Sequence, residues 1–185
     1  ADEKYIYSGS WDKTVKVWDK KTFREVATLK GHTDYVESVF ADEKYIYSGS
    51  SDKTVKVWDK KTFREVATLK GHTSTVFSVF ADEKYIYSGS LDKTVKVWDK
   101  KTFREVATLK GHTNTVESVF ADEKYIYSGS WDDTVKVWDK NTFREVATLK
   151  GHTNTVYSVF ADEKYIYSGS WDKTVKVWDK KTFRE

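Results

Sequence analysis

The sequence predicts an all-β protein built from nearly identical copies of one unit of four short antiparallel strands. Three observations lead to this prediction. The segment ADEKYIYSGS recurs every forty residues, TVKVWDK follows it at a fixed offset, and only six of the forty columns vary. Turn residues recur roughly every 8–12 positions, which favours strands over helices. A unit of this size cannot bury its own apolar face, so the copies must stack or close a ring. The five units begin at Ala1, Ala41, Ala81, Ala121 and Ala161.

Each complete unit contains four predicted strands, which we label a to d. In the unit that begins at Gly31, strand a covers Val36–Phe40 and strand b covers Lys44–Ser48. Strand c, Thr54–Trp58, alternates polar and apolar residues with period two, and strand d covers Arg64–Leu69. Short turns separate a from b and c from d. We therefore expect each unit to be an up-and-down antiparallel sheet.

The composition is that of a globular protein with a solvated, mixed-charge surface. Only 38% of the 185 residues are apolar, but eight Trp, twelve Tyr and ten Phe offset the shortfall because each aromatic ring buries a large area. The net charge of +3 comes from 32 basic and 29 acidic residues that are mixed along every unit. Lysines such as Lys16 and Lys20 alternate with apolar residues or lie in turns, so we interpret them as solvated. No basic patch typical of nucleic-acid binding is predicted.

Other classes of protein are also disfavoured by the sequence. There is no Cys, so a disulfide framework and thiolate metal sites are excluded and no redox compartment can be inferred. No apolar run approaches the roughly 20 residues that span a bilayer, so we expect no membrane partner. The chain starts at Ala1 without a Met or a signal-peptide pattern, from which we expect a processed, trimmed or engineered start.

Motifs that recur in register in every complete unit resemble those of WD-repeat proteins. In the second unit they are Gly31-His32, Ser48-Gly49-Ser50, Asp52 and Trp58-Asp59, and the resemblance covers the whole chain. It implies an all-β fold, a β-propeller, in which each unit is a four-stranded blade around a central channel. Strand a would line the channel and strand d would lie outermost.

The resemblance further implies a structural hydrogen-bond network within each blade. In it Asp and Ser satisfy the His while Trp donates its indole N–H. The predicted members are His32, Ser48, Asp52, Trp58, His72, Ser88, Asp92, Trp98, His112, Ser128, Asp132, Trp138, His152, Ser168, Asp172 and Trp178.

A Ser, a His and an Asp brought together also invite interpretation as a catalytic triad. The sequence disfavours this, because no Gly-x-Ser-x-Gly elbow is present and an enzyme needs one site rather than a copy in every blade. We therefore predict no catalytic residue. Metal ligation is disfavoured as well, since the His residues are forty positions apart with no second His or Cys at ligand spacing. No Gly-rich phosphate loop is present, and no cofactor is predicted.

The six variable columns carry the clearest indication of a binding surface. Strand parity puts five of them at one end of the blades, where b–c turns and d-to-a connections emerge; we call this end the top face. Only the column of Asn141, in a c–d turn, falls on the other end. The exchanges are large, and Trp and Tyr are enriched at interface hot spots. Neutral drift at exposed loops is the alternative. The predicted peptide- or protein-binding residues are Trp11, Tyr35, Glu37, Phe77, Leu91, Trp131, Asp133, Tyr157 and Trp171.

The strand count predicts that a second chain completes the ring. Residues 1–185 form one array with four a, five b, five c and four complete d strands, or four and a half blades. The first unit lacks strand a and the last lacks most of strand d, which leaves open edges. We therefore expect a homodimeric propeller of eight to ten blades, with nine as the central value. A five-bladed monomer is the alternative.

The sequence thus favours a non-enzymatic, self-assembling scaffold with a peptide- or protein-binding top face. The main alternative is an engineered or newly amplified propeller with no evolved ligand, which the near-identity of the copies favours. A lectin-like array with one small-ligand site per blade predicts identical site residues in each unit, and the variable columns argue against it on the top face. An enzyme ranks last.

Overall fold

The computed structural model describes residues 1–185 as an all-β protein with eighteen strands and no helix, which confirms the predicted fold class. No helix is present that could span a membrane. The strands are β1 (Tyr5–Gly9), β2 (Thr14–Asp19), β3 (Glu25–Lys30), β4 (Val36–Ala41), β5 (Tyr45–Ser50), β6 (Thr54–Asp59), β7 (Glu65–Lys70), β8 (Val76–Ala81), β9 (Tyr85–Ser90), β10 (Thr94–Asp99), β11 (Glu105–Lys110), β12 (Val116–Ala121), β13 (Tyr125–Ser130), β14 (Thr134–Asp139), β15 (Glu145–Lys150), β16 (Val156–Ala161), β17 (Tyr165–Ser170) and β18 (Val175–Asp179).

The strands form five separate antiparallel sheets, each a simple meander. The first sheet is β1-β2-β3, the next three have four strands each, and the last is β16-β17-β18. We number these blades 1 to 5. In the letters used above, blade 1 contains strands b, c and d, and blade 5 contains strands a, b and c. Chain order equals spatial order within every blade, as expected for short connections.

The strands differ from the predicted spans by one or two residues, and β-bulges account for part of this. In blade 2 a bulge between Val36 and Ser38 shifts the pairing of strand a, so that Val36 pairs with Ser50 and strand b runs to Ser50. A second bulge lies between Val57 and Trp58 where strands c and d pair. Bulges increase the local twist. A strand that is extended by pairing beyond a bulge cannot be recognised from residue alternation alone.

The core lies between blades rather than within them, because each sheet presents an apolar face to its neighbour. Between blades 2 and 3 the buried set consists of Tyr47, Val55, Val57 and Leu69 on one side and Val76, Val79, Ala81, Ile86 and Trp98 on the other. The two following junctions repeat this cluster. Face-to-face packing of successive four-stranded sheets produces the propeller-like stack.

A ladder of phenylalanines runs along the strands a of successive blades. The ring centroids of Phe40 and Phe80 are 4.8 Å apart, those of Phe80 and Phe120 are 4.8 Å apart, and those of Phe120 and Phe160 are 4.7 Å apart. Phe160 has no following ring and is 53% exposed. The inner edge of the stack is therefore aromatic and continuous up to its last member.

Candidate functional site

The four predicted network residues of each complete blade form a linear hydrogen-bond chain. In blade 2 the indole Nε1–H of Trp58 donates to Ser48 Oγ at 2.9 Å, and Ser48 Oγ lies 2.7 Å from His32 Nε2. His32 Nδ1 lies 2.7 Å from Asp52 Oδ2. An indole N–H can only donate, so the consistent arrangement is Trp to Ser to His to Asp, with the neutral His carrying its proton on Nδ1.

The same chain occurs in blades 3, 4 and 5 with His–Ser and His–Asp separations of 2.6–2.8 Å. Blade 1 has no His before it, and there Trp18 donates to Ser8 at 2.9 Å without continuation. The network joins the d-to-a connection, strand b, the b–c turn and strand c, so it fixes these four parts relative to one another.

Burial and hydrogen bonding set the charge states of the blade 2 network. Burial lowers the pKa of His32 below its ordinary value of 6.5, although the neighbouring Asp52 acts in the opposite direction. Burial raises the pKa of Asp52, but hydrogen bonds from Thr54 and His32 outweigh it and hold this pKa below 3.8. The pair is therefore a neutral imidazole donating to a carboxylate at neutral pH.

This geometry has the connectivity of a catalytic triad, but its serine is closed to solvent. Ser48 is completely buried, and its oxygen already accepts the indole N–H of Trp58. A nucleophile must be reachable by its substrate and lie beside donors that can stabilise an oxyanion. The role of this hydrogen-bond network is therefore to satisfy buried polar groups.

Two lysine columns that we interpreted as solvated are instead largely buried. Lys56, the blade 2 equivalent of Lys16, is 9% exposed and donates to Glu65 and to Thr68, each at 2.8 Å. The alkyl stem covers the sheet while the charged group is paired. The alternation of lysine with apolar residues in strand c was therefore a wrong indication of a solvated position.

The second lysine column joins neighbouring blades. Lys60 Nζ lies 2.5 Å from Asp2 Oδ2 of the preceding blade, and Asp2 also accepts the phenol O–H of Tyr7 at 2.6 Å. The equivalent ion pairs are Lys100–Asp42, Lys140–Asp82 and Lys180–Asp122, each at 2.5 Å. Sequence reasoning missed these pairs. Both columns are invariant, but the sequence does not show which blade supplies the partner.

The structure puts the variable b–c turns and d-to-a connections together. The backbone N–H of Trp131 donates to the carbonyl of Thr115 at 2.9 Å, and that of Ser51 donates to the carbonyl of Tyr35 at 2.9 Å. The equivalent bonds in blades 3 and 5 are Leu91 to Thr75 and Trp171 to Thr155. The five variable columns assigned to the top face therefore lie at one end of the blades.

Several of these side chains form exposed aromatic stacks between blades. Trp11 of blade 1 stacks on Tyr35 of blade 2 with centroids 5.2 Å apart and an interplanar angle of 18°. Phe77 of blade 3 stacks on Trp131 of blade 4 at 6.4 Å and 25°. Trp11 is 70% exposed and Trp131 is 39% exposed, so a face of each stack is open to solvent.

Two half-buried carboxylates accompany the stacks. Glu117 accepts the indole N–H of Trp131 at 2.8 Å, and Glu37 accepts the hydroxyl of Ser51 at 2.7 Å. Burial raises the pKa of Glu117 above 4.5, and repulsion from Glu37 acts in the same direction while the bond from Trp131 opposes them. Neither carboxylate has a cationic partner.

The remaining candidates on the top face stand apart from these stacks. Leu91 and Trp171 are exposed, and no ring stacks on Trp171. Tyr157 is 47% exposed and lies over Gly169, where an added Cβ would lie 3.4 Å from the ring. Asp133 has a φ of 66°, in the left-handed region that Asp tolerates better than most residues.

Three similar cavities lie at the opposite end of the blades. One of about 690 Å³ lies between the a–b turns of blades 2 and 3, and cavities of about 540 and 580 Å³ repeat it at two further junctions. Their linings are mixed carboxylates and lysines that are nearly identical from one junction to the next. No group of three or more His, Asp or Glu residues could hold a metal ion.

The chain matches the family model described as WD domain, G-beta repeat. The matched residues are 1–19, 23–59, 63–99, 103–139 and 143–179. Because the match covers most of the sequence, the chain belongs to the WD40 family of repeat proteins, which confirms the resemblance drawn from its motifs. Proteins of this family form β-propellers that generally mediate protein interactions and are typically not enzymes.

Individual relatives match over single repeats. An uncharacterized WD repeat-containing protein of Schizosaccharomyces pombe is 56% identical over 34 residues, which are 18% of this chain and 9% of that protein. Myosin heavy chain kinase C of Dictyostelium discoideum is 53% identical over 36 residues, which are 20% of this chain and 5% of the kinase. The matches therefore span a small fraction of both curated relatives.

A solved structure matches nearly the whole fold. The crystal structure of the computationally designed Ika8 protein superposes with a TM-score of 0.89 at 33% sequence identity. The superposition covers 97% of this chain and 56% of the designed one. The chain thus spans a little over half the length of that protein.

Proposed function

We propose that this chain is a non-enzymatic scaffold that assembles with a second copy into a closed propeller and presents its top face to a peptide or protein. The observation that supports the assembly is that the two outer sheet faces are complementary over strands b and c, although blade 1 lacks strand a and blade 5 lacks strand d. Each junction inside the chain joins the same two types of face.

At both ends of the stack, the apolar residues that form an internal junction have no neighbouring blade to cover them. Inside the chain, Trp58 of blade 2 packs on Val15 and Val17 of blade 1, and all three are buried. At the far end the equivalents Val175 and Val177 are 69% and 43% exposed. The Trp that such valines would receive is Trp18 of a second copy. Burial of this surface favours association by roughly 25 cal/mol per Å² of apolar area, before the entropic cost of association.

The polar part of the junction is complementary in the same way. In the internal junctions Lys60 pairs with Asp2, and Phe63 contacts Tyr5 edge-on with centroids 5.8 Å apart. The corresponding Lys20 has no carboxylate partner, and Phe23 is 73% exposed. Their partners by repeat symmetry are Asp162 and Tyr165 of the second copy. A charged and an aromatic contact would therefore form at each closing junction.

Two copies joined through both pairs of ends form a closed ring with twofold symmetry. Five sheets per chain give a ring of ten blades, the upper end of the eight to ten expected from the strand count, whereas the central value of nine would not allow two equivalent closing junctions. A five-bladed monomer would require blade 5 to pack on blade 1 of the same chain. Closure through a second copy removes both unpartnered faces, which otherwise invite uncontrolled association.

A charge reversal tests the assembly. We expect Lys20→Glu to dissociate the dimer, because it puts a carboxylate opposite Asp162, and we expect Lys20→Glu combined with Asp162→Lys to restore it. Sedimentation velocity distinguishes the two species. Asp162→Lys alone is the matched control and should dissociate as Lys20→Glu does. A dimer in the double variant, with monomers in both single variants, supports the junction. If all three variants remain dimeric, the junction is wrong.

A scaffold without catalysis is supported by the burial of Ser48 and its equivalents and by the family to which the chain belongs. Binding at the top face is supported by the exposed stacks of Trp11 with Tyr35 and of Phe77 with Trp131. Aromatic side chains at the centre of a surface contribute disproportionately to binding.

The second candidate function is that of an engineered or newly amplified propeller without an evolved ligand. Six variable columns in forty and the likeness to a designed protein favour it. Assembly is common to both candidates, so only ligand binding separates them. A panel of short peptides that differ in charge makes this distinction.

A further inference from the structure

We infer that the top face binds a cationic peptide segment, whose lysine or arginine side chain lies over Phe77 between the carboxylates of Glu37 and Glu117. This inference rests on the proposed binding function of the top face and specifies the chemistry of the ligand.

The three residues occupy one column of the repeat in three successive blades. Glu37, Phe77 and Glu117 each follow the first residue of strand a, in β4, β8 and β12, and these strands are neighbours along the inner edge of the stack. The order along the edge is therefore acid, aromatic ring, acid. A side chain placed over the ring meets a carboxylate on each side.

Both carboxylates are held in place by neutral donors. Trp131 donates to Oε2 of Glu117, which leaves Oε1 without a bond from a side chain, and Ser51 donates to Oε1 of Glu37. Trp131 also stacks on Phe77, so one residue orients both the carboxylate and the aromatic ring. The site is preorganised by contacts between blades 3 and 4.

The charge of this site is not balanced within the chain. Elsewhere in the chain Asp42 pairs with Lys100 and Glu65 pairs with Lys56, so these carboxylates face a cation. Glu37 and Glu117 have no such cation. Burial raises the pKa of Glu117, and repulsion from the carboxylate of Glu37 raises it further. A carboxylate with a raised pKa favours the folded state only while protonated, so its ionisation at neutral pH costs stability. A bound cation would relieve this cost.

A second, independent observation also concerns blade 4. The b–c turns carry Lys at positions 13, 53, 93 and 173, whereas blade 4 alone carries Asp133. The one reversal of charge in this column therefore lies two residues from Trp131 and in the blade that contains Glu117. The aromatic faces add to the attraction, because a cation within about 6 Å of a ring centroid is stabilised by the ring quadrupole. Charge complementarity commits the occupant to a cationic segment rather than an acidic or apolar one.

The test uses peptides of five residues with an acetylated N-terminus and an amidated C-terminus. The central residue is varied and the other four are glycine. Arginine, glutamine, glutamate and leucine at the centre give four probes. Binding is followed in ¹⁵N-labelled protein by the indole N–H resonance of Trp131. We expect the arginine probe to shift this resonance with saturable affinity, and the glutamine probe to bind at least about tenfold more weakly.

Variants of the protein separate this site from unspecific charge effects. Glu117→Gln should weaken the arginine probe about tenfold and leave the remaining affinity less dependent on salt. Glu43→Gln removes an acidic residue from the opposite face and is the matched control, which should leave binding unchanged. Because the pKa of Glu117 is raised, binding of the arginine probe should strengthen as the pH rises through that pKa, and Glu117→Gln should remove this dependence.

Each remaining outcome decides the inference. If the glutamine probe binds as well as the arginine probe, or Glu117→Gln has no effect, the cationic ligand is excluded. If only the leucine or glutamate probe shifts Trp131, the ligand chemistry is wrong while the binding function of the top face stands. If no probe shifts Trp131 at millimolar concentration, the inference fails and the propeller without an evolved ligand is favoured.

Discussion

Ser88 is the residue through which blade 3 connects its buried polar groups. Its hydroxyl accepts the indole N–H of Trp98 at 2.9 Å and lies 2.8 Å from His72 Nε2. Both partners are buried, so the loss of this oxygen would leave two polar atoms without a bond. Unmade bonds in a buried site cost more than exposed bonds contribute.

We expect Ser88→Ala to lower the free energy of unfolding by about 2 kcal/mol. Ser8→Ala is the matched control, because Ser8 accepts from Trp18 but has no histidine to satisfy. Its effect should be at most about 1 kcal/mol. Urea unfolding of both variants measures the difference, and equal effects would show that the His bond adds nothing.

At the scale of single elements, the c–d turn combines backbone strain with a contact between blades. Phe63 has a φ of 56° and Phe23 a φ of 55°, in a region that is unfavourable for aromatic residues. Phe63 contacts Tyr5 of the preceding blade, whereas Phe23 has no such neighbour and is largely exposed. The strain at Phe63 is offset by packing, and that at Phe23 is not.

Glycine at these two positions should therefore act in opposite ways. We expect Phe63→Gly to destabilise the fold by about 1–3 kcal/mol, because lost packing exceeds relieved strain. Phe23→Gly should leave the dilute, dissociated chain as stable or more stable by up to about 1 kcal/mol, yet weaken the dimer. Unfolding at low protein concentration and sedimentation at high concentration check the two parts. A loss of stability with Phe23→Gly in the dilute chain would contradict this account.

The periodic features of these elements could be predicted from the sequence, and the contacts between blades could not. Alternation in TVKVW identifies strand c, and the position of Trp11 in a b–c turn identifies its end of the blade. The pairing of Lys60 with Asp2 depends on the packing of one blade against the next. So does the stack of Phe77 on Trp131. The prediction that Lys56 is solvated was wrong because its alkyl stem is buried and its amine is paired with Glu65. Alternation along a strand does not distinguish such a lysine from an exposed one.

At the scale of the whole molecule, identical units produce identical junctions, so the b and c strands at the two ends of the stack carry the two kinds of residue that meet at an internal junction. Blade 5 exposes the valines that blade 1 buries against Trp58, and blade 1 exposes the Lys and Phe columns that the other blades pair. The repetition that produces the core is therefore also the basis of the proposed assembly. Association should therefore contribute to stability in proportion to the logarithm of protein concentration.

The mass of the protein in solution, measured by light scattering, tests the central claim most directly. We predict a particle of twice the chain mass of 21.6 kDa, with no larger species at higher concentration, since a ring of two copies leaves no face open. A well-folded particle of one chain mass would contradict closure by a second copy. A mass that grows continuously with concentration would show that the junctions form an open chain of copies rather than a ring.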